Sequence, residues 1–274
     1  MMKWKYYNHA MIPTTAPHEI PDLQVLKDGA IWKIERQKIP LLVRWTTEFD
    51  CDNETQWWYV IKDTPFNILD LKAKRRYEIN KGKKNFYIKK IVADNYPQEI
   101  LNVQIASFSD WPEKYRPTVN EQEFVESLEK WNSNVVYGGF DCKTDQLVAY
   151  SMVTEYTDYL EFSVLRSNPQ FERYGINAAM VAAIVEDYNE KLSKGFYISD
   201  GSRSIRHETA FQDYLEKYFG FRKAYCKLNI KYRFPIGIIV SMLYPARNWI
   251  NKKSKMGSIV CSLLQMEEIR RSFN

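Results

Sequence analysis

The chain is poor in the residues that carry covalent or metal chemistry. Its 274 residues include only four cysteines and three histidines. Cys51, Cys142, Cys226 and Cys261 contain no Cys-x-x-Cys pair, so neither a disulfide framework nor a cysteine zinc site is indicated, and the usage fits a reducing compartment. His9, His18 and His207 are too scattered for a metal cluster, and no metal is expected. No Ser-His-Asp or Cys-His arrangement stands out, which leaves covalent catalysis without support. Low-complexity tracts and repeat periods are lacking too. Long hydrophobic runs are missing: Met1–Tyr7 has no apolar stretch of the kind a secretion signal needs. Phe234–Tyr244 is the longest apolar run near the end, broken by Pro235 and Gly237, and it falls far below the roughly 20 residues of a bilayer span. A cytoplasmic location is the expectation, with peripheral contact at the inner membrane face as the alternative, because Lys252, Lys253 and Lys255 follow that run. Packing of the run against the N-terminal half competes with the membrane reading.

What the chain has is material for a core, 45% hydrophobic and 15% aromatic residues, with an ordinary 27% charged. Its length allows one large or two small domains. Residues 8–28, with Pro13, Pro17 and Pro21, read as an extended lead-in, and Ala30–Arg36, Leu41–Thr47 and Gln56–Lys62 as strands. The acidic connection Asp50–Glu54 lacks the glycine and distal glutamate of a calcium loop and reads as a solvated hairpin loop. Trp57-Trp58-Tyr59 reads as core and surface of a strand, with ring stacking on a base or sugar as the alternative.

Charge is concentrated in one place. Between residues 72 and 91, Lys72, Lys74, Arg75, Arg76, Lys81, Lys83, Lys84, Lys89 and Lys90 stand against Glu78 alone, a local +8 in a chain whose total is +5. Asn67 can cap a helix running through Ile79, and a helix so loaded repels itself unless an anion or acidic surface is near. Two readings stand: a phosphate contact in which Lys72, Arg75, Arg76 and Lys83 bind substrate, or a solvated face between subdomains.

From residue 86 onward the pattern becomes regular. Phe86–Asp94 reads as a strand, Gln98–Ser107 and Asn120–Asn132 as helices, and Val135–Phe140, Leu147–Val153 and Tyr159–Leu165 as a three-strand meander. In the last strand Tyr159, Glu161 and Ser163 alternate with Leu160, Phe162 and Val164. Asn168-Pro169 breaks the run, and Gly175 opens a helix through about residue 191. Such a strand-to-helix junction can hold a phosphate on free N–H groups. Gly195–Asp200 is the next strand and Ile205–Phe219 an amphipathic helix. Gly220-Phe221 supplies the left-handed cap and its hydrophobic contact. Arg222–Arg233 is a further strand and Ile259–Ile269 a final helix.

This order of elements, together with Val164–Ala179 and the Tyr218-Phe219-Gly220-Phe221-Arg222 turn, resembles the GNAT superfamily of acyltransferases. At the helix start the superfamily's Gln/Arg-x-x-Gly-x-Gly/Ala frame falls on Glu172, Gly175 and Asn177, with Arg173 one place late, and its frequent general-acid tyrosine position falls on Glu216, between Tyr214 and Tyr218. Upstream, Leu71–Ile79 followed by Lys81-Gly82-Lys83 is similar to the linker helix of the Fem-type aminoacyltransferases, which are built from two GNAT-like halves. The resemblance implies an α+β fold with a mixed central sheet flanked by helices, a smaller N-terminal strand-rich subdomain and C-terminal helices. The segments are 1–85, 86–233 and 234–274. It implies transfer of an acyl or aminoacyl group from acyl-CoA or aminoacyl-tRNA to a cell-envelope or polysaccharide precursor, with a phosphate-bearing carrier and tRNA among the partners. Arg173, Tyr174, Gly175, Ile176 and Asn177 would hold the donor. Glu161 is the candidate base, Asp200 and His207 are candidates for the same cleft, and Tyr214 is the candidate leaving-group acid. A catalytically silent module that binds nucleotide, nucleic acid or anionic membrane through Lys72–Lys90 is the alternative.

Overall fold

The computed structural model describes residues 4–34, 38–205, 210–249 and 255–273, with side chains from 257 in the last span. Its strands are β1 (Trp4–Tyr7), β2 (Ala10–Pro13), β3 (Leu42–Thr47), β4 (Trp58–Lys62), β5 (Phe86–Ile91), β6 (Val135–Asp141), β7 (Leu147–Glu155), β8 (Tyr159–Ser167), β9 (Tyr197–Ser202), β10 (Arg222–Tyr225) and β11 (Lys227–Tyr232). The helices are α1 (Gln24–Lys27), α2 (Ala73–Asn85), α3 (Pro97–Ala106), α4 (Glu121–Ser127), α5 (Pro169–Glu172), α6 (Ile176–Asp187), α7 (Asn189–Leu192), α8 (Ala210–Phe219), α9 (Ile236–Leu243) and α10 (Lys255–Arg271). The class is α+β, with mixed sheets flanked by helices. Two compact units emerge from the chain's contacts: Met1–Val60 with Ser202–Ala210 and Lys223–Asn274, and Ile61–Gly201 with Phe211–Arg222.

In the first unit, strands run in the order β1-β2-β3-β11. β2 and β3 are parallel, while β11 lies antiparallel to β3 from Lys227↔Thr47 to Tyr232↔Leu42. Period-two alternation in β3 puts Leu42 on one face and Val43 on the other, and both are buried. Leu42 packs with Val240, Leu263 and Met266 of α9 and α10, and Val43 with Trp4, Met11, Leu26 and Ile31. This sheet therefore has apolar cover on both faces. The segment expected as a strand from Ala30 is instead a 3-10 helix over Ala30–Lys33, entered through Gly29 at φ +66°. Ile31 inserts beneath the sheet, which a single buried residue can do without strand pairing.

In the second unit β9, β8, β7, β6 and β5 are successive neighbours. β5 to β8 form an antiparallel meander, and β9 joins β8 in parallel. One face is closed by α3 and the chain around α4, where Ile100, Val103 and Leu128 meet Val136, Phe140 and Tyr150. The other carries α6, whose Ile176 and Met180 lie over Gly139 of β6. Because α6 is apolar almost all round, it needs cover on its outer side too. α2 approaches so closely that a Cβ on Gly82 would stand 2.4 Å from the Gly175 carbonyl oxygen. Asn67 caps a separate 3-10 turn, Ile68–Asp70, and α2 starts afresh at Ala73. The expected cap after α8 is present: Gly220 has φ +68°, the Phe221 N–H donates to the Leu215 carbonyl, and Phe221 is buried.

Candidate functional site

β8 and β9 pair in parallel only at Tyr159↔Tyr197, Leu160↔Ile198 and Glu161↔Ser199. β8 then continues to Ser167 with β7 alone as its recorded partner, so the two parallel strands part at Glu161 and Ser199. On the β7 side the register shifts at Met152/Val153, leaving Ser163 as an inserted residue. A bulge of this kind re-aims side chains and strengthens twist, and such features gather near active sites. Glu161 lies opposite Thr154, on the face where Tyr150 and Val164 meet α3. Backbone groups of β8 beyond Glu161, released from β9, are available to a carbonyl oxygen.

Asp200 follows Ser199 at the parting. Burial is the main cause that pushes its carboxyl up to about 7, and the charge of Glu161 adds to the rise while the Gln212 side chain opposes it. Gln212 is itself buried and donates from Nε2 to the Asp200 carbonyl oxygen at 3.3 Å. The Ser199 Oγ accepts from the Gly201 N–H at 3.0 Å, which fixes the turn after the acid. Tyr156, Tyr159 and Tyr197 stack in a row beside Glu161. Burial, then the Glu161 charge, raises the Tyr156 phenol. Glu161 and Asp200, singled out from the sequence, thus lie at the ends of adjacent strands, with Asp200 on the face opposite Glu161 and within reach of its charge. Gln212 was not foreseen, because a glutamine on an amphipathic helix gives no signal of its partner.

Tyr214 does not join this pair. Two residues on a helix differ by about 200°, so Tyr214 points away from the side that carries Gln212. Burial raises its phenol to about 12, against the lowering effect of Arg75, whose guanidinium lies 5.7 Å from its ring centre. His207 lies outside the described residues.

The junction before α6 has the expected outline: Gly175 is its N-cap at φ +90° and no side chain caps the helix. The glycine is already required by packing, since a Cβ there would meet the Glu78 carbonyl oxygen at 2.8 Å. Ile176 and Ala178 are buried. Glu172 holds its own carboxylate at the helix start, accepting from Asn177 Nδ2 at 3.3 Å and from Ser167 Oγ at 3.0 Å. Lys81 Nζ donates to the Arg173 carbonyl at 2.8 Å, and the Arg173 guanidinium lies over Tyr174. A resident carboxylate and buried first-turn residues do not build a cradle for a CoA pyrophosphate.

The basic segment is largely answered from within the unit. Lys83 pairs with Glu186 at 2.6 Å and Lys90 with Asp187 at 2.7 Å. Arg75 is buried, pairs with Glu78 and lies over the Tyr218 ring. Arg76 donates to the Leu69 carbonyl at 3.1 Å. Lys72, Lys74 and Lys84 are exposed. Among the described residues no group of three or more His, Cys, Asp or Glu could hold a metal ion, and no helix is long and apolar enough to cross a membrane.

No family model and no curated protein matches the chain. Solved structures do. A conserved protein of unknown function from Bacteroides thetaiotaomicron superposes with a TM-score of 0.54 at 11% identity, over 81% of this chain and 78% of that one. The structure titled L-PGS from Bacillus licheniformis gives 0.47 at 10% identity, over 89% and 84%. A tandem GNAT protein from the clavulanic acid biosynthesis pathway gives 0.44 at 9% identity, over 82% and 75%. At these identities the likeness is one of fold.

Proposed function

We propose that the protein transfers an acyl or aminoacyl group to an amine or hydroxyl, with the parting of β8 and β9 as the reacting centre. The observation that carries this is Asp200, a carboxyl raised to about 7 beside Glu161 at the point where the parallel strands separate. A general base works best with a pKa near the operating pH. As the acceptor nitrogen or oxygen attacks the donor carbonyl, its proton passes to the Asp200 carboxylate. The bond from carbonyl carbon to leaving group then breaks, and the departing atom takes up the proton that Asp200 received, which returns the carboxylate. Glu161 raises the proton affinity of Asp200 by its charge. Released β8 backbone N–H groups offer stabilisation to the carbonyl oxygen.

The donor that fits best is an ester-linked aminoacyl group, as on aminoacyl-tRNA, in the manner of the Fem-type enzymes. It needs no pyrophosphate cradle at α6, and exposed Lys72, Lys74 and Lys84 suit a polyanionic carrier. The acceptor class is a phosphate-bearing envelope or polysaccharide precursor. Ile238, Ile239 and Met242 are exposed on α9 at i, i+1 and i+4, next to exposed Phe234 and Trp249. This supports peripheral contact with a membrane surface. The test is thermal unfolding with aminoacyl-tRNA and with a panel of acyl-CoA thioesters, followed by turnover with whichever donor binds. A ligand at about 100 times its Kd adds about 2.7 kcal/mol and should raise the midpoint by roughly 5–10 °C for a chain of this size. The expected shift is with aminoacyl-tRNA, and a shift with a thioester alone would replace the donor named here.

A further inference from the structure

The first unit holds a cavity of about 470 Å³, within the range of about 300–1,000 Å³ that small-molecule sites occupy. Its wall is apolar where β3 faces α10, through Leu42, Ile205, Leu263 and Met266. Two guanidinium groups, Arg44 and Arg203, line the same space. Neither has a carboxylate within ion-pair distance among the described residues. Elsewhere in the unit, Arg270 and Arg271 hold Glu267, and Arg247 reaches Glu268.

Both side chains are held in place without an acid. Arg44 lies over the Trp57 ring at 5.4 Å, and Trp57 is fixed by its Nε1 donating to Thr46 Oγ1 at 3.2 Å. Arg203 donates from Nη1 to the Gln56 carbonyl at 2.7 Å and lies over Trp58 at 4.6 Å. Enclosure disfavours their charge, and burial is the main cause that lowers both groups from the usual guanidinium range. Taking a cation out of water without a counter-charge is costly, and a bound anion would offset that cost. An arginine fork suits carboxylate and phosphate oxygens.

We propose that this cavity binds a single-chain amphiphile, its carboxylate or phosphate head on Arg44 and Arg203 and its hydrocarbon between β3 and α10. The apolar wall disfavours a bare inorganic anion as the natural occupant, and the two guanidinium groups, without an acid partner among the described residues, disfavour a neutral hydrocarbon. None of the residues assigned to transfer, Glu161, Ser199, Asp200 or Gln212, lines the cavity.

Titration calorimetry on the full chain tests this with decanoate, decyl phosphate and decanol, each below its micelle concentration. Both anions are expected to bind at least about tenfold more tightly than decanol, the size of one charge-assisted hydrogen bond. Arg44→Met should remove that preference and leave decanol binding unchanged. If decanoate is the tighter anion the head is a carboxylate, as in a fatty acid, and if decyl phosphate is tighter it is a phosphate monoester. Equal binding of decanol and the anions, no binding of either anion, or full anion affinity in Arg44→Met would each overturn the proposal. Should Arg44→Met fail to fold, the comparison of acid with alcohol on the unaltered chain decides alone.

Discussion

Two carboxyl groups, the buried Glu267 and the half-buried Asp200, one in each unit, are treated in opposite ways. For Glu267, burial by itself would raise the carboxyl, but hydrogen bonds from Arg270, Arg271 and Tyr232 outweigh it and hold the group down at about 2. For Asp200, burial raises the carboxyl to about 7 and the nearest charge, Glu161, has the same sign. The first acid has been supplied with every partner its charge calls for. The second has been placed where its charge costs stability, which a fold tolerates when the proton itself is used. The contrast sets an acid whose charge is partnered beside one whose surroundings disfavour its charge.

The sharpest way to break the contrast is to make Asp200 structural. Asp200→Asn keeps the shape and removes the base, so turnover should fall by about 10²–10⁴-fold, measured as kcat/KM with the donor identified by unfolding. The same substitution should stabilise. A folded-state carboxyl near 7, against about 3.9 unfolded, binds its proton more tightly when folded, so stability falls as pH rises from about 4 to about 7. Above pH 7, Asp200→Asn should be more stable by as much as about 4 kcal/mol, read from denaturant unfolding. An unchanged or lowered stability would place Asp200 with Glu267.

Glu267→Gln should do the reverse and cost about 2 kcal/mol at neutral pH, a buried-pair value discounted for partners that are partly exposed. Its contribution is present above the unfolded carboxylate range and is lost as pH falls from about 4 toward 2. The difference between parent and variant should therefore vanish in acid. The smallest effect belongs to Tyr214→Phe, which should leave the pH dependence of turnover unmoved, because that phenol lies against Arg75 rather than Asp200. A lost alkaline limb would restore it as an acid.

Much of this was legible in the sequence, because it is local. The alternation of β8, the Gly175 start and the Gly220-Phe221 stop each depend on residues within one turn or one strand. That Glu161 and Asp200 lie at the ends of adjacent parallel strands follows from strand order, whereas the register that puts them on opposite faces does not. What could not be read were partners distant in the chain. Lys83 and Lys90 looked like a phosphate site until Glu186 and Asp187, about a hundred residues on, were found beside them. Gly175 looked like part of a phosphate loop, and Gly82 shows that helix packing already demands it. The Ser163 bulge leaves no mark in composition, since the alternation of β8 reads the same with or without an inserted residue. Ala30–Lys33 misled for the opposite reason: four mixed residues fit either period, and burial of Ile31 alone decided the outcome.

The most direct test of the account is the titration of the Asp200 carboxyl itself, followed by carbon NMR in the parent chain and in Glu161→Gln. The account expects a midpoint near 7 that falls when the Glu161 charge is removed. A midpoint near 4 in the parent chain, unmoved by Glu161→Gln, would contradict it.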